Sequence, residues 1–173
     1  MVFDLKGDSN MTPVVGMLYS AVKENYERLK TITTDMSQEE LDYHGPNGEL
    51  NSIGQLIKHL AYIDINWVHR IKDEPLPNAF EDKYGPVLDK NNRLPNVKGV
   101  SLQELLSNYE QVFEMFKSEC VGLTDTDLDK VVTFGHENEK QATIRWGVWH
   151  IADHSRYHQA HINQLRKWYS GEN

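Results

Sequence analysis

Apolar residues recur every three to four positions in four long stretches of this chain, and polar residues fill the gaps. That period is the signature of an amphipathic helix. In the first stretch, Val14, Leu18, Ala21, Val22, Leu29 and Ile32 fall mostly on one face of a helix expected over residues 12–33. Thr12 is placed to cap it, and Pro13 suits its first turn. The second helix is expected to start at Ser52, which forms a capping-box pattern with Gln55, and to end near Lys72, before Pro75 and Pro77. Its stripe is Ile53, Leu56, Ile57, Leu60, Ile63, Trp67 and Ile71. The third opens at Ser101, with Glu104 three residues on, and carries Leu102, Leu105, Leu106, Tyr109, Phe113 and Phe116 as far as Gly122. The last runs from about Thr143 to Tyr169 on Ile144, Val148, Ile151, Ile162, Leu165 and Tyr169.

Between these lie shorter signals. Ser37 with Glu40 predicts one capped turn, and residues 124–129 predict another. Gly45-Pro46-Asn47-Gly48 breaks the chain. Residues 133–142 read as a polar loop, and only Lys130 to Phe134 offers anything like a strand. Residues 73–100 hold Pro75, Pro77, Pro86 and Pro95 with little periodicity. A connection of that length is uncommon inside a compact domain. It has a use if it crosses the end of a bundle, leaving the second and third helices parallel. The expected architecture is therefore all-α: a four-helix bundle with a long crossover between helices 2 and 3, one domain over residues 1–173.

Composition narrows the classes. The chain has 173 residues and a net charge of −8, which makes it a poor partner for nucleic acid phosphates. No apolar run is long enough to span a bilayer, and the first ten residues hold no stretch suited to a signal peptide, so the expected compartment is the cytoplasm. The single cysteine, Cys120, follows Tyr109, Phe113 and Phe116 at helical spacing and reads as a buried core thiol.

Histidine changes the picture. There are eight, and His150, His154, His158 and His161 fall on one helix. Imidazole nitrogens are preferred ligands of divalent transition metals, and two histidines one helical turn apart can share an ion. On a helical wheel His158 falls near the middle of the apolar stripe. His154 lies about 40° to one side, His161 about 60° to the same side and His150 about 80° out. An imidazole in such a stripe requires a polar partner, which a metal supplies. A third ligand has to come from another helix. His59, at the edge of the second stripe, is the histidine placed to look inward, whereas His44, His69 and His136 fall in loops or at a helix end. The plainer alternative for each is a satisfied core or surface histidine.

Two stretches resemble a known family. Ser52-Ile-Gly-Gln-Leu-Ile-Lys-His59-Leu-Ala is similar to an "S-I-x-x-L-x-x-H-L" second helix. His154-Ser-Arg-Tyr-His158-Gln-Ala-His161 is similar to "H-x-x-x-H-R-G-Q". Both belong to the DinB-like (YfiT-type) superfamily of metal-binding four-helix bundles, and the resemblance covers nearly the whole chain. It implies a metal site at His59, His154 and His158. The chain departs from the pattern at Gln159-Ala160-His161, where Arg-Gly-Gln is common. His161 is thus a fourth ligand, a second-shell partner or a plain substitution, and the second-shell reading is preferred.

Three histidines leave a coordination position open, the mark of a catalytic ion. The resemblance implies a thiol-dependent S-transferase or a hydrolase acting on a small thiol or electrophile, with zinc, nickel or iron equally compatible. The competing class is a non-catalytic bundle that binds metal or a ligand, including a stress-related role. No general acid or base is assigned. Asp64 is expected at the surface or in the second shell, with His150 a second-shell candidate. Trp149 and Trp168, pointing outward, suit a homodimer interface.

Overall fold

The computed structural model describes residues 2, 4–135 and 138–171. Four long helices make up most of it: α1 (Pro13–Ile32), α3 (Ile53–Lys72), α5 (Leu102–Gly122) and α6 (Ile144–Ser170). Two short ones, α2 (Gln38–Leu41) and α4 (Asn78–Tyr84), lie in the connections. A 3-10 turn at Asp127–Asp129 leads into strands β1 (Val131–Phe134) and β2 (Lys140–Thr143).

The helix starts follow from local chemistry. Ser37, Ser52, Ser101 and Thr143 each accept a hydrogen bond from the backbone amide three residues on, satisfying a donor the helix leaves free. Only Ser52 has both halves of the capping box, with Gln55 returning a bond. Glu40 instead receives the Arg166 guanidinium at 2.7 Å. Thr12 does not cap α1 as expected. Asp125 does so, accepting from the Thr12 hydroxyl at 2.6 Å and from the Val14 and Val15 amides at 3.0 and 3.1 Å. A carboxylate suits the positive end of a helix dipole.

Two expectations for the connections need correction. Residues 73–100 are not wholly irregular, since α4 forms between Pro77 and Gly85. Residues 133–142 are not simply a polar loop: β1 and β2 pair antiparallel, from Val131 opposite Thr143 to Phe134 opposite Lys140. Strands of four residues are too short to show a period-2 pattern. Phe134 stabilises this one by packing on Trp67 and Trp146, with ring centroids 5.4 and 5.2 Å away.

Cross-helix contacts fix the directions. Asp64 meets Tyr109 and Lys72 pairs with Glu119, so α3 and α5 run the same way. Asn25 meets Ala152 and Ile32 meets Arg166, so α1 and α6 also run together. Tyr26 packs on Tyr109 and Tyr19 on Phe116, which makes α1 and α5 antiparallel. His59 lies beside His158 and Trp67 against Gly147, which makes α3 and α6 antiparallel. The order is up-down-down-up, with residues 73–101 carrying the chain back along the bundle. Gln55 pins that crossover by donating to the Leu94 and Pro95 carbonyls at 2.8 and 3.2 Å.

The core lies between the four helices and holds Leu29, Ile57, Leu60, Ile65, Val112, Phe116 and Ile162, all at most 1% exposed. Cys120 is buried there, and desolvation pushes its thiol up to about 12. One seam is polar. Gln159, 0% exposed, donates to the Asn25 carbonyl and to the Ser155 hydroxyl and accepts from Arg28, while Asn25 donates to the Ala152 carbonyl. Asn25, Ser155 and Gln159 each have a hydrogen-bond partner, whereas His59 Nδ1, Asp64 Oδ1, both ring nitrogens of His69 and His154 Nδ1 are buried without one.

Candidate metal centre

α3 and α6 bring three imidazoles to one point. His59 Nε2 lies 3.3 Å from His154 Nε2, and His158 Nε2 lies 3.0 Å from the same atom. The ring planes of each pair stand nearly perpendicular or steeply tilted, so the nitrogens meet while the rings diverge. One ring nitrogen from each residue falls within 4.8 Å of the others, and no second set of three metal-ligating side chains converges this way among the described residues. Around an ion bound tetrahedrally at about 2.1 Å, neighbouring ligand nitrogens sit about 3.4 Å apart. The donor set fits such an ion in type and spacing.

Electrostatics agree. Desolvation lowers His59 and His158 to about 4 and His154 to about 3, with neighbouring imidazoles adding to the last two. All three are therefore neutral near pH 7, the form that offers a lone pair. A consequence follows for stability without metal. The unfolded chain protonates these rings near their ordinary value of 6.5, while the folded chain resists until about 4. Stability is therefore complete above pH 6.5 and is lost as pH falls through the window from 6.5 to about 4. Urea midpoints of chelator-treated protein at pH 7 and pH 5 should show this loss, and the His59→Ala/His158→Ala protein should lose less.

The structure places the remaining candidates differently from one another. His161 Nδ1 lies 3.4 Å from His158 Nδ1, behind the triad and facing solvent. His150 stands in a stack, 4.8 Å from Trp146 and 5.5 Å from His154 between centroids, and is not part of the convergent set. Asp64 is not a surface carboxylate: it is 4% exposed, accepts the Tyr109 hydroxyl at 2.6 Å and forms no hydrogen bond with the triad. Burial raises it to about 8, with the Tyr109 bond working the other way. Its sign is opposite to that of the histidines, because the unfolded carboxyl ionises near 3.8 and the folded one only near 8. Stability is thus lost as pH rises from about 4 towards 8. Asp64→Asn, which keeps an acceptor for Tyr109, should be more stable than the native chain at pH 8, by an amount that shrinks towards pH 5. Equal denaturation midpoints at both pH values would count against a buried neutral carboxyl.

His158 stands at the edge of the buried arc of α6, not in its middle. The apolar wheel left out Ser155 and Gln159, which are buried and widen that arc on the far side. Sequence reasoning missed the chain from Asp64 through Tyr109 and Ser155 to Gln159 for the same reason. Its signal was polar residues at core positions of the periodic pattern. His69 is buried at 5% exposure in the last turn of α3, against Phe80. His44 bonds the Leu50 carbonyl through Nδ1 at 2.7 Å. His136 lies outside the described residues.

Two cavities open along α3. One of about 390 Å³ has His158 and His161 in its wall. A larger one of about 540 Å³ lies at the far end of α3, bounded by Arg70, Asp73, Glu74 and β1, and no triad residue lines it. The first is the one in contact with the candidate chemistry.

The molecule is thus a helical bundle with a convergent histidine triad on two antiparallel helices. Residues 21–162 match the model of the DinB superfamily, and the chain belongs to that family. It is 46% identical over 165 residues to the uncharacterized protein YkkA of Bacillus subtilis (strain 168), covering 95% of this chain and 93% of that one. Among solved structures it is similar to YfiT from Bacillus subtilis, described as a probable metal-dependent hydrolase with an unusual four-helix bundle topology. That match has a TM-score of 0.67 at 18% identity, over 92% of this chain and 89% of that one, and shows a shared fold. No helix among the described residues is long and apolar enough to cross a membrane.

Proposed function

We propose that the protein binds one divalent transition metal through Nε2 of His59, His154 and His158, and acts as a metal-dependent enzyme on a small molecule. The observation that carries this reading is the contact of three neutral imidazole nitrogens at 3.0 and 3.3 Å, beside a cavity. Neutral rings packed nose to nose have no better partner than a shared cation, since among themselves they cannot each find both a donor and an acceptor. When bound with three protein ligands, such an ion keeps a position open and supplies Lewis acidity to water or to a thiol.

The chain's own residues do the rest. A His158 Nδ1–H donating to His161 Nδ1, 3.4 Å away, would hold the tautomer in which Nε2 carries the lone pair. The Trp146–His150–His154 stack fixes the orientation of the second ring. Burial keeps all three uncharged at neutral pH. Hydrolysis and thiol-dependent S-transfer both use this equipment, and the family resemblance implies both. YfiT's description favours hydrolysis first. The test is metal content followed by turnover: protein reloaded with zinc, nickel or iron is assayed against activated esters, and against electrophiles with and without a small thiol. Turnover that needs both metal and water alone supports the hydrolase. Dependence on added thiol supports the transferase. Stoichiometric metal with no turnover in any assay supports a binding protein instead.

A further inference from the structure

His158 belongs to two things at once. Its Nε2 is part of the triad, and its ring is part of the wall of the 390 Å³ cavity. A molecule in that cavity therefore touches one of the three candidate ligands, from the side of the ring that also faces His161, while His59 and His154 lie beyond it. The apolar wall is Leu50, Leu56, Leu165 and Trp168, with Tyr157 beside them, and Asn51, His161 and Gln164 are its uncharged polar members. No Asp, Glu, Lys or Arg side chain lines it. A charged group placed there would lose hydration with no countercharge to replace it.

This wall is built into the fold. Leu56 and Leu165 are 3% and 2% exposed, on α3 and α6. Leu50 comes from the loop after α2 and is tied at both backbone atoms. Its amide donates to the His44 carbonyl at 3.0 Å, and its carbonyl accepts from His44 Nδ1 at 2.7 Å. Its side chain lies over Gly45, which has φ +80°, and a Cβ on Gly45 would meet Leu50 Cδ1 at 2.7 Å. Glycine is needed there for its positive φ. The loop thus presents one leucine to the cavity in a fixed place. An apolar pocket of roughly 150 Å³ holds a benzene ring. The space here takes a ring with a linker, or a branched chain.

We propose that this cavity receives an uncharged, apolar part of the substrate, an aryl or branched alkyl group, while the reacting head lies at the triad. This rests on the metal reading above, and the test separates the two. Zinc-loaded full-length protein is titrated calorimetrically with acetohydroxamate and with benzohydroxamate, which share a metal-binding head and differ in the apolar group. Benzohydroxamate should bind on the order of tenfold tighter. Trp168→Ala, in the exposed last turn of α6, and Leu50→Asp, in the loop, should each remove that preference with zinc content unchanged. Equal affinity for the two probes in zinc-loaded native protein would overturn the inference while leaving the metal site intact. If the protein takes up no zinc, benzyl alcohol is titrated into it by NMR. Contacts from the ring to the Leu56 and Leu165 methyl groups would then support the apolar pocket and reject the metal reading alone, and their absence would overturn the pocket too.

Discussion

Protein purified without an affinity tag or chelator should carry close to one equivalent of a divalent transition metal, and the His59→Ala/His158→Ala protein should carry none. The expected effect is large because the substitutions leave a single imidazole, His154, of the three that converge. Losing even an outer partner of a metal ligand costs about 10–100-fold in affinity, and direct ligands cost more. The same change should not unfold the bundle. His59 and His158 sit half-buried at the rim of their helices, and neither belongs to the seam of Asn25, Ser155 and Gln159. Elemental analysis gives the metal, and circular dichroism shows that the double variant is still helical. Equal metal in both proteins would place the ion elsewhere. No metal in either, after incubation with zinc or nickel, would leave the histidines as packing or ligand-binding groups.

Gly147→Ala should destabilise the protein, against the usual sense of that exchange inside a helix. Alanine is favoured over glycine there by about 1 kcal/mol. At this position, however, a Cβ would meet Trp67 Cζ3 at 2.4 Å and Cε3 at 2.5 Å. Trp67 cannot retreat: it is 1% exposed and packed among Phe134, Trp146 and His150. Overpacking of this kind costs about 1–3 kcal/mol and sometimes more. We expect a net loss of about 1–2 kcal/mol, or a Tm lower by roughly 2–8 °C for a chain of this size. Because the contact sets how closely α3 approaches α6, metal affinity should fall as well. A Tm equal to or above that of the native chain would mean that the indole has room to shift.

Much of this arrangement was legible in the sequence because it depends on local rules. Ser52 and Gln55 mark the start of α3, and the stripe from Ile53 to Ile71 marks its buried face. His154 and His158 are one turn apart, so their proximity follows from helix geometry alone. His59 required a guess about which edge of α3 faces α6, and the stripe was enough to make it. What stayed hidden depends on distant partners. Asp125 caps α1 from more than a hundred residues away. Gln159 and Ser155 look like interruptions of an apolar pattern until Asn25 and Tyr109 are set against them. Asp64 read as a surface or second-shell group because a lone carboxyl gives no sign of the phenol that accompanies it into the core. The helix from Asn78 to Tyr84 is too short for its period to emerge; β1 lies within the one strand candidate, Lys130 to Phe134, but its partner β2 gave no signal.

The polar seam between α1 and α6 has a bearing on how this fold can change. A greasy interface tolerates small rotations of one helix against another, because one methyl group substitutes for the next. Hydrogen bonds from Gln159 and Asn25 across a dry seam admit one rotational setting, as a key does on a shaft. Gln159 is adjacent to His158, so the setting of that key is also the aim of the imidazole. The outward residues of the same helix, Tyr157, Gln164 and Trp168, take no part in the lock. Changes at those positions would reshape what the molecule accepts while its chemistry stays in register.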